Sequence, residues 1–176
     1  LYGNAIHHPP ATLLNAGRIE ATGGDYYHYH EGISPAVGRL IDRLDTERRA
    51  VAAALGVETP RFVDHFFRMG YTTEAAHATG LAYEAFHQSE PDRWIKAPPS
   101  LDHRFLDEDV PFGLVPLAEL GRFAGVATPG MDALIHLASV ATGRAYRATG
   151  LTLPRMGLAG TTRAAFQRLL TEGFSD

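Results

Sequence analysis

Four short groups of residues combine histidine, arginine and acidic side chains at spacings that could support chemistry. In the first, residues 4–10, His7 and His8 stand directly before Pro9 and Pro10. Proline is typical of the first helical turn, so this pair predicts that His8 lies at the positively polarised end of a helix, which lowers the pKa of His8. A neutral imidazole there could exchange a proton with a substrate. Two solvent-facing histidines at a loop end are the simpler interpretation.

The second group, residues 104–113, places Arg104 beside three consecutive acids. A solvated turn is the simpler interpretation of such a cluster. In the functional interpretation, Asp109 turns inward to orient a histidine and to stabilise its cation, while Asp107 and Glu108 stay in water. The planar guanidinium of Arg104 would then bind a substrate carboxylate.

The third group, residues 25–32, mixes three tyrosines with two histidines and a glutamate. Together with the first histidine pair, three of its members could be imagined as metal ligands: His28, His30 and Glu31. Their spacing matches no zinc pattern, and no His-x-x-x-His pair stands on a convincing helix. We therefore predict an aromatic loop that packs over a pocket, and no metal site.

The fourth group is the pair Asp64-His65, which has apolar residues on both sides. A histidine in this setting is more often at the edge of a core than in an active site. No Gly-x-Ser-x-Gly sequence is present, so a serine hydrolase has little support.

The composition is that of an ordinary soluble domain, and 176 residues suffice for one sizeable core. A formal net charge of -4 argues against nucleic acid or an anionic membrane as a partner. No stretch approaches the roughly 18 uncharged apolar residues of a membrane-spanning helix. The absence of cysteine excludes disulfides and thiolate chemistry, and it fits a cytoplasmic location.

Two observations indicate that the chain is a fragment of a longer protein. It begins with Leu1 rather than Met, and its opening residues resemble the end of an upstream element rather than a signal peptide. It also contains neither a Gly-x-Gly-x-x-Gly sequence after a strand nor a Gly-x-x-x-x-Gly-Lys-Ser/Thr loop. We therefore expect that this chain does not bind the pyrophosphate of a nucleotide.

The elements that position these groups are predicted to be helices, because runs of alternating β-branched residues are nearly absent. Ser34-Pro35 is a helix start, apolar residues follow at three- and four-residue steps as far as Leu55, and Gly56 is the stop. Charged residues take much of the opposite face of this helix: Asp42, Arg43, Asp45, Glu47, Arg48 and Arg49.

The same start signal recurs at Thr59-Pro60 and at Thr128-Pro129, and the second predicts a buried helix that ends at Gly143. Further helices are predicted at 73–88, 115–124 and 161–172. Two long irregular connections, a kind of segment that is often functional, are predicted at 18–32 and 89–109. The predicted fold class is all-α, with one domain over residues 1–176.

Together, these groups resemble the C-terminal helical domain of the octopine/nopaline (opine) dehydrogenase family. The resemblance covers nearly the whole chain, and it rests on five parts in the family's order: Asn4-x-x-x-His8-Pro9-Pro10 with Leu13-Leu14-Asn15-Ala16-Gly17; Tyr29-x-Glu31-Gly32-Ile33-Ser34-Pro35; Leu44-Asp45-x-Glu47-Arg48; Arg104-x-Leu106-x-Glu108-Asp109-Val110-Pro111-Phe112-Gly113; and Gly125-Val126-x-Thr128-Pro129. It implies a bundle-like substrate domain of the 6-phosphogluconate dehydrogenase C-terminal-like type, separated from its Rossmann domain.

The resemblance also implies an activity. Opine dehydrogenases join an amino acid to a 2-oxo acid and reduce the resulting imine with NADH or NADPH, which the missing Rossmann domain would hold. The family's catalytic histidine corresponds to His8 and its aspartate partner to Asp109. The arginine for the substrate carboxylate corresponds to Arg104, and the substrate-binding residues are expected to include Tyr29 and Asn15.

Two alternatives stay open from the sequence. A ketopantoate reductase-like enzyme of the same architecture usually relies on a lysine, and Lys96 is the only lysine here. A non-enzymatic helical module, acting as a partner or dimerisation unit, is the other alternative, and a homodimer through residues 129–142 is one form of it. The amino acid, the 2-oxo acid and the choice between NAD and NADP are not encoded in recognisable residues of this chain.

Overall fold

The computed structural model describes residues 3–173, which form eleven α-helices and one π-helical turn. Helices α1 to α7 span Asn4–Leu13, Ala16–Thr22, Pro35–Ala54, Phe62–Arg68, Glu74–Thr79, Ala82–His87 and Arg104–Asp107. The π-helical turn is Val110–Leu114, and α8 to α11 span Val115–Ala124, Pro129–Thr142, Tyr146–Thr149 and Arg163–Glu172. Residues 3–173 contain no strand, only an isolated antiparallel bridge between Tyr27 and Lys96, so the all-α prediction is confirmed.

Helix α1 is the central element, and its position corrects one prediction. It packs against α3, α7, α9 and the π-helical turn, and it is buried from Ala5 to Thr12. Pro9 and Pro10 lie inside this helix, so His8 stands in its middle and the prediction of a helix N-terminus at His8 was wrong. Two interior prolines remove backbone hydrogen bonds, and the dense packing around α1 holds the helical path despite that loss.

Helix α3 begins and ends where the sequence predicts. The hydroxyl of Ser34 accepts a hydrogen bond from the backbone N–H of Val37 at 3.3 Å, which caps the first turn. At the other end Gly56 adopts a φ of +75°, a conformation that favours glycine after a helix. The apolar face of α3 contributes Ile41, Leu44 and other fully buried residues to the main core.

The charged face of α3 is less exposed than the sequence suggests, because Asp45, Glu47 and Arg48 are buried. Arg48 donates to the carboxylate of Asp45 at 2.6 Å, and it donates at 2.7 Å to both the Thr59 hydroxyl and the Pro60 carbonyl. These contacts engage residues 59–60 outside any helix. Helix α4 therefore begins at Phe62, and the predicted start at Thr59-Pro60 was two residues early.

Glu47 caps a distant helix. Its carboxylate accepts hydrogen bonds from the backbone N–H groups of Gly130 at 2.9 Å and Met131 at 3.1 Å, in the first turn of α9. A carboxylate at a helix N-terminus satisfies free donors and complements the helix dipole. The predicted start of α9 at Pro129 and its stop at Gly143 are both confirmed, although the Thr128 side chain forms no cap bond.

The remaining predictions hold in part. Helix α8 matches 115–124, helix α11 lies within 161–172, and 73–88 divides at Gly80 into α5 and α6. The segments 18–32 and 89–109 are less irregular than expected, since α2 extends into the first and α7 lies in the second. Helix α9 is buried on one face only, because Leu137 and Val140 are exposed. Over residues 3–173, no helix has the length and apolarity that crossing a membrane requires.

Candidate functional site

The site centres on a hydrogen-bonded chain of three buried side chains. His8 Nδ1 lies 2.7 Å from Asp109 Oδ2, and His8 Nε2 lies 2.8 Å from the hydroxyl of Tyr29. The exposed fractions of the three residues are 5%, 1% and 6% respectively. The structure thus brings together two residues predicted to be catalytic and one predicted to bind substrate, from positions up to 101 residues apart.

Each member of this chain is held by a different element. His8 projects from the middle of α1, and Asp109 directly precedes the π-helical turn. Tyr29 lies in a loop that is tied to residues 95–97 by two backbone hydrogen bonds, His28 N–H to the Ile95 carbonyl and Ala97 N–H to the Tyr26 carbonyl. The site therefore depends on long-range packing rather than on one local motif.

The loop that carries Tyr29 requires a glycine at position 32. A Cβ atom there would lie 2.3 Å from the carbonyl oxygen of His28, which no side chain tolerates without a shift of the backbone. The carbonyl of Gly32 also accepts a hydrogen bond at 2.9 Å from Asn15, whose amide donates at 2.8 Å to Ala11 as well. Asn15 thus joins the end of α1 to the Tyr29 loop.

The electrostatics of the site favour a neutral His8. Burial, together with the positive charge of the nearby Arg104, lowers the pKa of His8 to about 3. A carboxylate only accepts hydrogen bonds, so the proton of the neutral ring stands on Nδ1, facing Asp109, and Nε2 accepts from the Tyr29 hydroxyl. The low pKa of His8 was predicted from a helix end, but its main cause is burial.

Two aromatic residues, Phe105 and Tyr29, complete the environment of His8. Phe105 stacks on the imidazole with ring centroids 3.8 Å apart and an angle of 17° between the planes. Burial raises the pKa of Tyr29, and the negative charges of Asp92 and Asp109 raise it further, so the phenol keeps its proton. The stacked ring fixes the plane of the imidazole while Asp109 fixes its tautomer.

His8 and Tyr29 open onto a cavity of about 400 Å³. One part of its wall is aromatic and consists of Tyr29, Phe62, Phe66, Tyr71 and Phe86. The polar part consists of Asn4, His7, His8, His65 and Asp92. A mostly apolar cavity with a few convergent polar groups is typical of a small-molecule site. A larger open groove beside Arg49 and Arg68 contains none of these groups.

The other histidines do not form a metal site in this structure. Burial lowers the pKa of His7 well below its ordinary value, and burial lowers the pKa of the fully buried His28 to about 3. Among residues 3–173, no three histidine, aspartate or glutamate side chains are arranged to hold a metal ion. His65, expected at the edge of the core, is exposed and lines the cavity, while Asp64 pairs with Arg61 and His77.

Arg104 and its acidic neighbours lie at the rim of the site. The Arg104 side chain is 55% exposed, and its Nε lies 3.7 Å from Glu108 Oε2. Arg104 does not line the cavity, although its positive charge acts on His8. Glu108 is in solvent as predicted. Asp107 is not simply solvated, because it accepts hydrogen bonds from Arg144 and from the Tyr146 hydroxyl.

Lys96 lies away from the site. Its ammonium group is about half exposed and pairs with Asp25 at 2.6 Å, and it does not line the cavity. The position of Lys96 therefore does not favour a reductase that relies on a lysine at this cavity.

Sequence reasoning missed several residues of the site, namely Phe62, Phe66, Phe86, Asp92 and Phe105. Two weak signals were available. Phe62 and Phe66 flank the Asp64-His65 pair, and Phe105 lies in the second group. Asp92 and Phe105 also lie in the long segment 89–109 that was singled out as a place for function.

The fold and the site define a class: an all-helical domain that buries a histidine–carboxylate pair beside an aromatic cavity. Residues 2–142 match the family described as NAD/NADP octopine/nopaline dehydrogenase, alpha-helical domain. The chain belongs to this family.

Individual relatives agree with this assignment. The chain is 40% identical to an opine dehydrogenase of an Arthrobacter species (strain 1C), over 93% of this chain and 44% of that protein. It is 29% identical to a vitopine synthase of Allorhizobium ampelinum, over 89% of this chain and 42% of that protein. It therefore spans less than half the length of these curated relatives.

A solved structure shares the fold. It is an octopine dehydrogenase described with NADH and L-arginine, and it superimposes with a TM-score of 0.65 at 20% identity. The similarity covers 98% of this chain and 48% of that one.

Proposed function

We propose that this chain is the substrate-binding and catalytic half of an NAD(P)-dependent opine dehydrogenase, which condenses an amino acid with a 2-oxo acid and reduces the imine. The observation that carries the proposal is the buried His8–Asp109 pair. His8 and its hydrogen-bond partner Tyr29 also line an aromatic cavity, so the pair can act on a molecule bound there. Membership of the family supports the same reaction.

His8 is the proton-exchanging group of this proposal. In the oxidative direction the substrate nitrogen loses a proton, and the acceptor of neutral His8 is Nε2, which the Tyr29 hydroxyl contacts at 2.8 Å. Tyr29 passes the proton on: its oxygen takes a proton from the substrate while its own proton moves to Nε2. The imidazolium that forms is stabilised by Asp109 at 2.7 Å, and the reductive direction reverses these transfers.

Arg104 binds a carboxylate of the substrate. Its contact with Glu108 is long and exposed, and such surface pairs are weak, so the guanidinium is free to turn toward a carboxylate at the mouth of the cavity. Both substrates of the reaction are carboxylates, and a planar guanidinium binds them in a bidentate manner. The predicted contact of Asn15 with substrate stays a prediction, since its amide nitrogen already donates to two carbonyls.

The nucleotide is assigned to a region outside this chain. Residues 3–173 contain no strand that leads into a glycine-rich helix start, so they do not form a dinucleotide fold. The bound nicotinamide supplies the hydride, and this chain supplies the proton, the substrate contacts and the apolar surroundings.

The test is an assay of the full-length enzyme, in which this chain is joined to its nucleotide-binding region. NADH and NADPH oxidation is followed with pyruvate or 2-oxoglutarate against a panel of amino acids, for the parent enzyme and for His8→Ala and Arg104→Ala. The matched controls are His136→Ala and Arg39→Ala, which remove exposed side chains away from the cavity. Oxidation that requires both substrates and collapses only in the first two variants supports the proposal, whereas oxidation with the 2-oxo acid alone contradicts it.

A further inference from the structure

The cavity contains a buried carboxylate that the proton-transfer chain does not use. Asp92 is 8% exposed and lines the cavity, and its Oδ2 accepts a hydrogen bond from the Ser89 hydroxyl at 2.8 Å. Among residues 3–173, no lysine, arginine or histidine forms an ion pair with it. A carboxylate with so little exposure is costly unless a cation or several donors compensate for the lost hydration. Burial accordingly raises the pKa of Asp92.

The charge balance of the cavity favours a cationic group on the ligand. Burial lowers the pKa values of His7 and His8, so both rings are uncharged near neutral pH, and Tyr29 keeps its proton. Within the described range 3–173, no lysine or arginine lines the cavity. Asp92 is thus the anionic group of the wall, and it lines the same cavity onto which His8 and Tyr29 open.

The rest of the wall is suited to an apolar group. Phe86 is 1% exposed and stacks on Tyr29, with ring centroids 5.3 Å apart, and on Phe62, at 5.4 Å. Phe66 packs against Phe86 at 4.9 Å. These rings brace one another, so they form a fixed apolar surface.

We propose that Asp92 anchors the amino group of the amino-acid substrate, and that the aromatic wall formed by Phe62, Phe66 and Phe86 receives an uncharged, apolar side chain. This inference rests on the proposed function and names the substrate class of the same cavity. An ammonium group and a free amine both carry N–H donors, so the Asp92 contact persists while the nitrogen changes its protonation. A substrate with a cationic side chain would bring two cations to one carboxylate, and it is selected against.

The first test needs no variant. The full-length enzyme is assayed with saturating pyruvate and with leucine, methionine or phenylalanine, in comparison with arginine and lysine. We expect kcat/KM for the apolar amino acids to exceed that for the cationic ones by about tenfold or more, because a buried cation without a partner is strongly disfavoured. A preference for arginine or lysine would overturn the inference and leave opine chemistry intact, while no turnover with any amino acid would instead count against the proposed function.

The second test uses Asp92→Asn, with Asp25→Asn, at an exposed residue, as the matched control. Loss of the charge-assisted contact should raise KM for methionine by about tenfold or more and change KM for pyruvate less than about twofold. A merely structural loss would affect both KM values alike. Methionine should also raise the melting temperature of the parent enzyme and of Asp25→Asn but not of Asp92→Asn. Equal KM values for methionine in the parent enzyme and in Asp92→Asn would refute the role of Asp92.

Discussion

At the scale of single residues, the proposed proton transfer depends on the tautomer of His8. Asp109 Oδ2 lies 2.7 Å from Nδ1 and holds the proton there, and in the proposed reaction Nε2 exchanges protons through Tyr29. In Asp109→Asn the amide can donate to Nδ1, which places the ring proton on the wrong nitrogen. We expect kcat of the full-length enzyme to fall by about 10²- to 10⁴-fold, with little change in the KM for either substrate. Steady-state kinetics beside Asp25→Asn measure this, and an unchanged kcat would contradict the role of Asp109.

A second residue-scale prediction concerns the pH dependence of stability. The pKa of buried His28 is lowered to about 3, so between about pH 6.5 and pH 3 the unfolded chain binds a proton that the folded chain does not. Stability must therefore fall as the pH falls through this window. For His28 alone, lowering the pH from about 7.5 to about 5 should cost about 2 kcal/mol.

The variant His28→Leu isolates this contribution. Its free energy of unfolding should lose about 2 kcal/mol less than that of the parent chain over the same change in pH. Urea unfolding of the 176-residue chain measures the difference, and His136→Leu, which replaces an exposed histidine, is the control. Identical pH dependence of the His28→Leu and parent chains would show that His28 becomes protonated in the fold without cost.

The residues of the site also show what the sequence could and could not provide. The pairing of His8 with Asp109 was predicted only through resemblance to a family, since the two lie 101 residues apart and no local spacing connects them. Asp92 and the phenylalanines of the cavity were missed because they come from different helices and a turn that meet only in the folded chain. The predicted cause of the low pKa of His8 was wrong, because the two prolines that follow His8 do not reveal that it is buried.

At the scale of elements, the local signals of helix starts and stops succeeded where neighbouring elements do not compete with them. Ser34 caps α3 as predicted. At residues 59–60 the buried guanidinium of Arg48 binds the chain instead, and α4 starts later. Three residues of the charged face of α3, Asp45, Glu47 and Arg48, are buried, because long-range hydrogen bonds that no sequence period reveals take them into the interior.

The cap that Glu47 provides to α9 can be tested directly. In Glu47→Ala two backbone N–H groups, those of Gly130 and Met131, lose their acceptor, and a buried space replaces the carboxylate. We expect the free energy of unfolding to fall by about 2–4 kcal/mol. Urea unfolding beside Glu20→Ala, at an exposed residue, measures the effect, and a loss below about 0.5 kcal/mol would show that water replaces the cap.

The loop that holds Tyr29 gives a further prediction at this scale. In Gly32→Ala the new methyl group would meet the His28 carbonyl, so the loop must shift and the Tyr29 hydroxyl must move away from His8. We expect kcat of the full-length enzyme to fall by about tenfold or more, because a displacement near 1 Å is enough to disturb catalysis. Gly17→Ala, at a glycine with open space around its Cβ position, is the control. Equal kcat values for Gly32→Ala and Gly17→Ala would show that the Tyr29 loop is not held rigidly.

At the scale of the whole molecule, the chain spans less than half the length of its curated relatives, and its described residues form no dinucleotide fold. We therefore expect the 176-residue chain alone to oxidise NADH and NADPH with pyruvate and methionine at no more than about 0.1% of the rate of the full-length enzyme, since the hydride donor has no site. Absorbance of the reduced nicotinamide follows the reaction, and robust oxidation by the chain alone would contradict the assignment of the nucleotide to another region.

The most direct test of the central claim is to identify the product. The full-length enzyme is incubated with pyruvate, methionine and NADH deuterated at the transferred position, and the product is analysed by mass spectrometry. We expect a secondary amine that contains both carbon skeletons and one deuterium, formed by the parent enzyme and absent with His8→Ala. A deuterated 2-hydroxy acid without the amino acid would contradict this expectation and would assign this domain to a simple 2-oxo acid reductase.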